Sequence, residues 1–201
     1  MRTLLLIALI MTLLAGCGEK PKDNVLWRDD FRIERLPWKT VLGNPDWILD
    51  QGVWVILGVA PFEELAIVER DWQGEECQIN TSLRLGETGE AGVVLGYKDD
   101  KNFWRITLDH SQNRIALIKR VEGKDTVAAE GSISLSHREF HALVVNLTKS
   151  LLEVQCDKLI VFQTGRPVGL EGKLGIYAGI ASPPGSRIYA NYDHFEVKPV
   201  P

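Results

Sequence analysis

Between residues 77 and 85 the side chains alternate without a break. Cys77, Ile79, Thr81, Leu83 and Leu85 fall on one face, Gln78, Asn80, Ser82 and Arg84 on the other. A period of two is that of a β-strand buried on one side only. Residues 102–109 repeat it, with Trp104, Ile106 and Leu108 inward and Phe103, Arg105, Thr107 and Asp109 outward. Further strand-like runs cover 53–57, 65–68, 91–97, 114–121, 126–129, 141–147, 151–156, 159–163, 173–177 and 188–197, separated by Gly, Pro, Asn and Asp. The segments 99–102, 122–125 and 183–185 have turn composition. No stretch after residue 24 sustains a helical period, and no repeat or low-complexity tract interrupts the series. About a dozen strands in one chain predict an all-β fold, two antiparallel sheets packed as a sandwich with Greek-key connections.

The amino end is different. Arg2 is followed by an apolar run from Leu4 to Leu14, then by Ala15, Gly16 and Cys17. This is the shape of a secretory signal, and the run is short of the ~20 residues that a membrane-spanning helix needs. Leu14-Ala15-Gly16-Cys17 resembles the bacterial lipobox, which implies cleavage after residue 16 and acylation of Cys17. Acyl chains contribute ~0.8 kcal/mol per buried methylene, so three would hold the protein on a bilayer. The competing reading is an ordinary cleaved signal. Gly18 in place of the aspartate that retains lipoproteins at the inner membrane favours the outer membrane, if the cell is Gram-negative.

The expected organisation is a signal helix over 1–16, a lipidated cysteine and short tether over 17–24, and one domain over 25–201. Cleavage removes one of 23 basic residues and none of 27 acidic ones, leaving a net charge of −5. Such a domain is no partner for nucleic acid. An exported protein permits disulfides, so Cys77 and Cys156 are either a bridge or two buried thiols in strands. Neither has a second ligand at the spacing of a zinc motif.

Several short motifs carry a family resemblance. Trp27-Arg28-Asp29-Asp30-Phe31, Gly52-Val53-Trp54, the run 91–97 leading to Asn102-Phe103-Trp104, Gly172–Tyr177 and Tyr192–Val197 together resemble the concanavalin A-like and laminin-G-like jelly rolls, including the sandwich of the 3-keto-disaccharide hydrolases. The resemblance implies that 25–31 pairs with 191–197, and that one curved sheet offers a ligand face.

Catalytic signals are sparse. Glycosidases need two carboxyl groups across one bond, ~5 to 9.5 Å apart. Glu69-Arg70-Asp71, with Glu75 further on, comes nearest to the laminarinase-type motif but departs from it at Arg70 and in its spacing, and reads as a solvated acidic loop. Glu63 and Glu64 are adjacent and should face opposite ways. His110, His137, His141 and His194 accompany no nucleophile elbow. Asp99, Asp100 and Asn102 offer oxygens for a structural calcium ion but no complete loop, and no other cofactor is expected.

Binding is better represented. Arg84, Tyr97, Phe103, Arg105 and Asp109 combine aromatic rings with hydrogen-bonding groups, a mixture suited to sugars. The alternative is a merely solvated face with a cross-strand pair such as Arg84 with Asp109. The expected function is a membrane-anchored, non-catalytic, lectin-like lipoprotein whose partners are a glycan and, through Cys17, the lipid bilayer. A 3-keto-disaccharide-type hydrolase and an envelope assembly lipoprotein are the alternatives.

Overall fold

The computed structural model describes residues 25–32, 36–43, 48–50, 52–137, 139–180 and 183–200. The expected signal helix, Cys17 and the tether to residue 24 lie outside them. Strands β1 (Trp27–Asp29), β3 (Ile48–Asp50), β4 (Val53–Val59), β6 (Cys77–Leu85), β11 (His141–Leu147), β12 (Leu151–Cys156), β13 (Leu159–Gly165) and β15 (Arg187–Lys198) form one sheet. The other holds β2 (Trp38–Leu42), β5 (Phe62–Val68), β7 (Glu90–Asp99), β8 (Asn102–Asp109), β9 (Arg114–Val121), β10 (Lys124–Ser132) and β14 (Lys173–Ile180). All pairings between these strands are antiparallel, in the orders β13-β12-β11-β6-β15-β4-β3 and β10-β9-β8-β7-β14-β5-β2. The all-β, two-sheet sandwich expected from the alternation is the fold.

Local chemistry explains the hairpins. Glu122 and Gly123 between β9 and β10 both take positive φ, 50° and 77°, the two-residue turn whose twist matches flanking strands. Asp99 accepts hydrogen bonds from Lys101 N and Asn102 Nδ2, both at 2.8 Å, and so closes the β7–β8 turn. The carboxylate proposed for calcium is thus a turn acceptor.

β6 is buried at every odd position and half-buried at every even one, as its alternation requires. Its inward residues meet Trp104, Ile106 and Leu108 of β8 in the core between the sheets. Tyr192 on β15 crosses that core, its hydroxyl 2.6 Å from Tyr177 O and 3.0 Å from Gly92 O in the opposite sheet.

The chain ends pair as expected: Trp27, Arg28 and Asp29 lie opposite Val197, Glu196 and Phe195. β6 occupies one flank of β15, so β1 and β4 share the other. Buried Asp29 accepts from Phe31 N (2.8 Å), Leu36 N (3.1 Å) and Trp38 Nε1 (3.0 Å). Phe31 stacks on Trp54 with ring centroids 4.9 Å apart, and Trp38 packs on Trp54 at 5.0 Å. The first two resemblance motifs therefore build one aromatic lock at the entrance of the chain.

Cys77 and Cys156 are buried free thiols. Their partners on β11 are Leu147 and Leu143, four residues apart, and β11 stands between the two strands. That register separates them by roughly 16 Å, from ~3.3 Å per residue and ~4.8 Å per strand, well beyond bridging reach. Burial raises both thiol pKa values to about 12.

Candidate functional site

The outer face of the seven-stranded sheet carries a hollow of about 620 Å³. Cross-strand register sets out its residues in rows. Glu63, Gly179, Glu90, Asp109 and Arg114 lie side by side across β5, β14, β7, β8 and β9. Arg105, Ile118 and Val127 form a parallel row four residues along, and Phe103, Arg120 and Asp125 form one two residues beyond it. Gly179 leaves space that the Tyr177 hydroxyl occupies, where a Cβ would overlap it.

Two guanidinium groups organise the charges. Arg105 Nη2 donates to Glu90 Oε1 (3.0 Å) and Asp125 Oδ2 (2.9 Å), and its side chain is only 5% exposed. Arg120 grips Asp125 with two hydrogen bonds, Nε to Oδ1 at 2.8 Å and Nη2 to Oδ2 at 2.9 Å. Its Nη2 also lies 2.6 Å from Glu63 Oε1, which accepts from the Tyr177 hydroxyl at 2.9 Å. Thr107 Oγ1 holds the second oxygen of Glu90 at 2.8 Å. Asp109 accepts from Ser111 Oγ (2.6 Å) and Gln112 N (3.1 Å). Tyr177 lies under Arg105, 4.7 Å from ring centre to guanidinium, and Phe103 lies under Arg120 at 4.9 Å.

The environment fixes these charge states. Burial alone would raise the Asp125 pKa, but the hydrogen bonds and charges of Arg120 and Arg105 hold it far below the ordinary carboxylate range. Burial disfavours the charged form of Arg105, yet the Asp125 hydrogen bond and the nearby acidic groups raise its pKa further. Tyr177 is pushed well upward, chiefly by burial. Arg105 Nε and Nη1 are buried with no hydrogen-bond partner among the described residues.

The residues singled out in the sequence divide among three places. Arg105 and Asp109 line the hollow. Phe103 faces the same side of the sheet but is 2% exposed beneath Arg120, and half-buried Tyr97 packs 6.1 Å from it. Arg84 belongs to β6 in the eight-stranded sheet, opposite Asn191, so it cannot share a face with Arg105. There it donates to the Tyr189 hydroxyl (3.2 Å) and lies 5.0 Å from the Phe140 ring. The Arg84–Asp109 cross-strand pair does not form, because the two strands are in different sheets.

Exposure differs from expectation as well. The outward positions of β8 are buried, since side chains from β7, β9, β10 and β14 pack against them. Glu90, Arg120, Asp125 and Tyr177 carry no site motif in the sequence, and Glu63 enters it only as a poor dyad with Glu64. One signal was present for two of them: the Glu122-Gly123 turn sets Arg120 opposite Asp125. Glu69 and Asp71 are exposed and pair with Lys39 and Lys173, as a solvated acidic loop should. Glu63 and Glu64 do face opposite ways, Glu63 to the hollow and Glu64 buried at 2% exposure.

No family model and no curated protein matches the sequence. Solved structures do match. A carbohydrate-binding module, CBM66, from Bacillus subtilis aligns with a TM-score of 0.66 at 16% identity, over 81% of this chain and 96% of that one. A Bacillus subtilis protein of unknown function with a galectin-like fold gives 0.68 at 14%, over 87% and 95%. The catalytic domain of an endo-1,3-β-glucanase (laminarinase) from Thermotoga petrophila RKU-1 gives 0.62 at 9%, over 86% and 96%. At such identities the likeness speaks for the fold. The chain is a jelly-roll sandwich of the concanavalin A-like kind, and its structural neighbours include both sugar-binding modules and glycoside hydrolase domains.

Proposed function

We propose that this chain is a non-catalytic, lectin-like lipoprotein, tethered to a bacterial membrane through acylated Cys17, that binds a glycan in the hollow over the seven-stranded sheet. One observation carries the reading. The hollow combines fixed guanidinium groups and carboxylates over the buried Tyr177 ring, while Arg105 keeps two donors without an acceptor among the described residues. Sugar hydroxyls both donate and accept, so they can meet both kinds of group. A volume of about 620 Å³ is that of a small-ligand site.

Binding is favoured over hydrolysis by what stands between the acids. A glycosidase leaves the gap between its two carboxyl groups for the scissile bond and keeps one of them protonated. Here Arg105 Nη2 sits between Glu90 and Asp125, Arg120 Nη2 sits between Asp125 and Glu63, and Asp125 is held ionised.

A glycan array probed with a lipid-free form beginning at residue 21 tests the site. The parent and Arg84→Ala should bind the same sugars, whereas Arg105→Gln should lose at least about tenfold in affinity, the effect of ~1.4 kcal/mol. No binding by the parent, or equal binding by Arg105→Gln, rejects the hollow as the site. Release of free sugar from a bound ligand would replace the lectin reading with the hydrolase. Mass spectrometry of the membrane-extracted amino terminus checks the lipid: a triacylated Cys17 is expected, and an unmodified amino end at any residue refutes the anchor.

A further inference from the structure

We infer that Cys156, His141 and Asp157 form a zinc site at the end of the eight-stranded sheet, apart from the hollow. The local fold brings the three together. Asp157 and Lys158 take positive φ, 50° and 70°, in the two-residue turn between β12 and β13. That turn swings the Asp157 carboxylate back over the first residues of β11. Its Oδ1 accepts from Ala142 N at 2.9 Å, and its Oδ2 lies 2.7 Å from His141 Nδ1. His141 and Cys156 both point inward, on neighbouring strands one inward position apart. A ring nitrogen, a sulfur and a carboxylate oxygen thus lie within 4.8 Å of one another.

Ligand identity, geometry, support and access all suit zinc. Nitrogen, sulfur and oxygen donors are the set this ion takes, at ~2.0 to 2.3 Å in tetrahedral sites. Those bond lengths put neighbouring donors ~3.3 to 3.8 Å apart, so the Nδ1–Oδ2 contact opens by about half an ångström when the ion replaces the proton between them. The far side of the imidazole is held by the backbone of Ser136, with Nε2 2.9 Å from its carbonyl oxygen and 3.0 Å from its amide nitrogen. A zinc-bound Nδ1 leaves the ring proton on Nε2, which then donates to that carbonyl, the usual outer support of a metal-bound histidine, while the Ser136 N–H whose hydrogen bond Nε2 accepts in the metal-free tautomer turns to another acceptor. Sulfur coordinates as the thiolate, its proton passing to solvent. Cys156 is fully buried and His141 nearly so, but the Asp157 side chain is 44% exposed, which gives the ion an entrance and leaves a fourth position for water. Cys77 belongs to no comparable group of ligands among the described residues, and so serves as an internal control.

Cobalt(II) replaces zinc in such sites and reports on its ligands. Titrating the metal-free, untagged protein with Co²⁺ alone should give one equivalent bound, visible bands of a tetrahedral ion and a near-ultraviolet sulfur-to-metal charge-transfer band. Cys77→Ser should keep that band and Cys156→Ser should abolish it. Asp157→Asn tolerates the left-handed turn and can still accept from Ala142 N, so it keeps the fold should Cys156→Ser fail to. It should weaken binding at least about tenfold. A parent protein without the charge-transfer band, a band that survives Cys156→Ser, or unchanged affinity in Asp157→Asn overturns the assignment.

Discussion

Asp125 Oδ2 lies 2.9 Å from Arg105 Nη2 although the strands that carry them, β10 and β8, are not neighbours. The contact spans β9, which contributes Arg120 to the same carboxylate oxygen. Asp125→Asn removes the charge that both guanidinium groups face and leaves Arg105 with Glu90 alone. A loss of about 2 kcal/mol is expected, from the cost of breaking charged hydrogen bonds on a buried partner. Urea denaturation of the two proteins measures it, as a lower midpoint with an unchanged slope.

Acid should erase that difference. The Asp125 pKa is depressed in the folded state, against roughly 3.9 when unfolded. Its contribution is therefore complete above about pH 5 and disappears as the pH falls through 4 and below. The stability gap between parent and Asp125→Asn should narrow steadily from pH 5 to pH 2. A gap that widened toward acid would mean that the carboxylate is not stabilised in its charged form.

Tyr192→Phe tests the link between the sheets. The hydroxyl joins β15 to the backbone of β7 and β14 across a largely apolar core. Removing it takes away the one hydrogen that the two carbonyls share, at a cost of about 1 to 2 kcal/mol. Calorimetry should show a Tm lower by roughly 2 to 8 °C for a domain of this size.

The thiols provide a chemical readout. Cys77 and Cys156 are buried, with pKa values raised by burial to about 12, so neither should react with a thiol reagent at pH 8 in the native protein. In denaturant without reductant both should react. Protection that persists in denaturant until a reductant is added would reveal a bridge and contradict the strand register.

The sandwich was legible because alternation is local. Residues 77–85 declare which side is buried, and the structure agrees at all nine positions. Alternation does not say which of two sheets a strand joins, and Arg84 and Arg105 were grouped for that reason. Both are outward, on opposite sides of the molecule. Nor does it say what covers an outward face. Thr107 and Arg105 look solvent-facing in the sequence and are 1% and 4% exposed, because Glu90, Asp125 and Tyr177 from three other strands pack against them. The Trp27–Phe31 motif was legible as resemblance, and Asp29 supplies its physical meaning by fastening three donors.

The meeting of β1 with the end of β15 decides how the domain presents itself. Val25 and Lys198 leave from one pole of the sandwich, while the short connections after Val59, Leu85 and Ile180 put Phe62, Glu90 and Gly179 at the other. Six residues of β6 between these levels amount to roughly 20 Å. Whatever holds the molecule by its amino end, a bilayer or a sensor chip, therefore stands farthest from the Glu63, Gly179 and Glu90 edge of the hollow, with the Arg105 and Asp125 rows between.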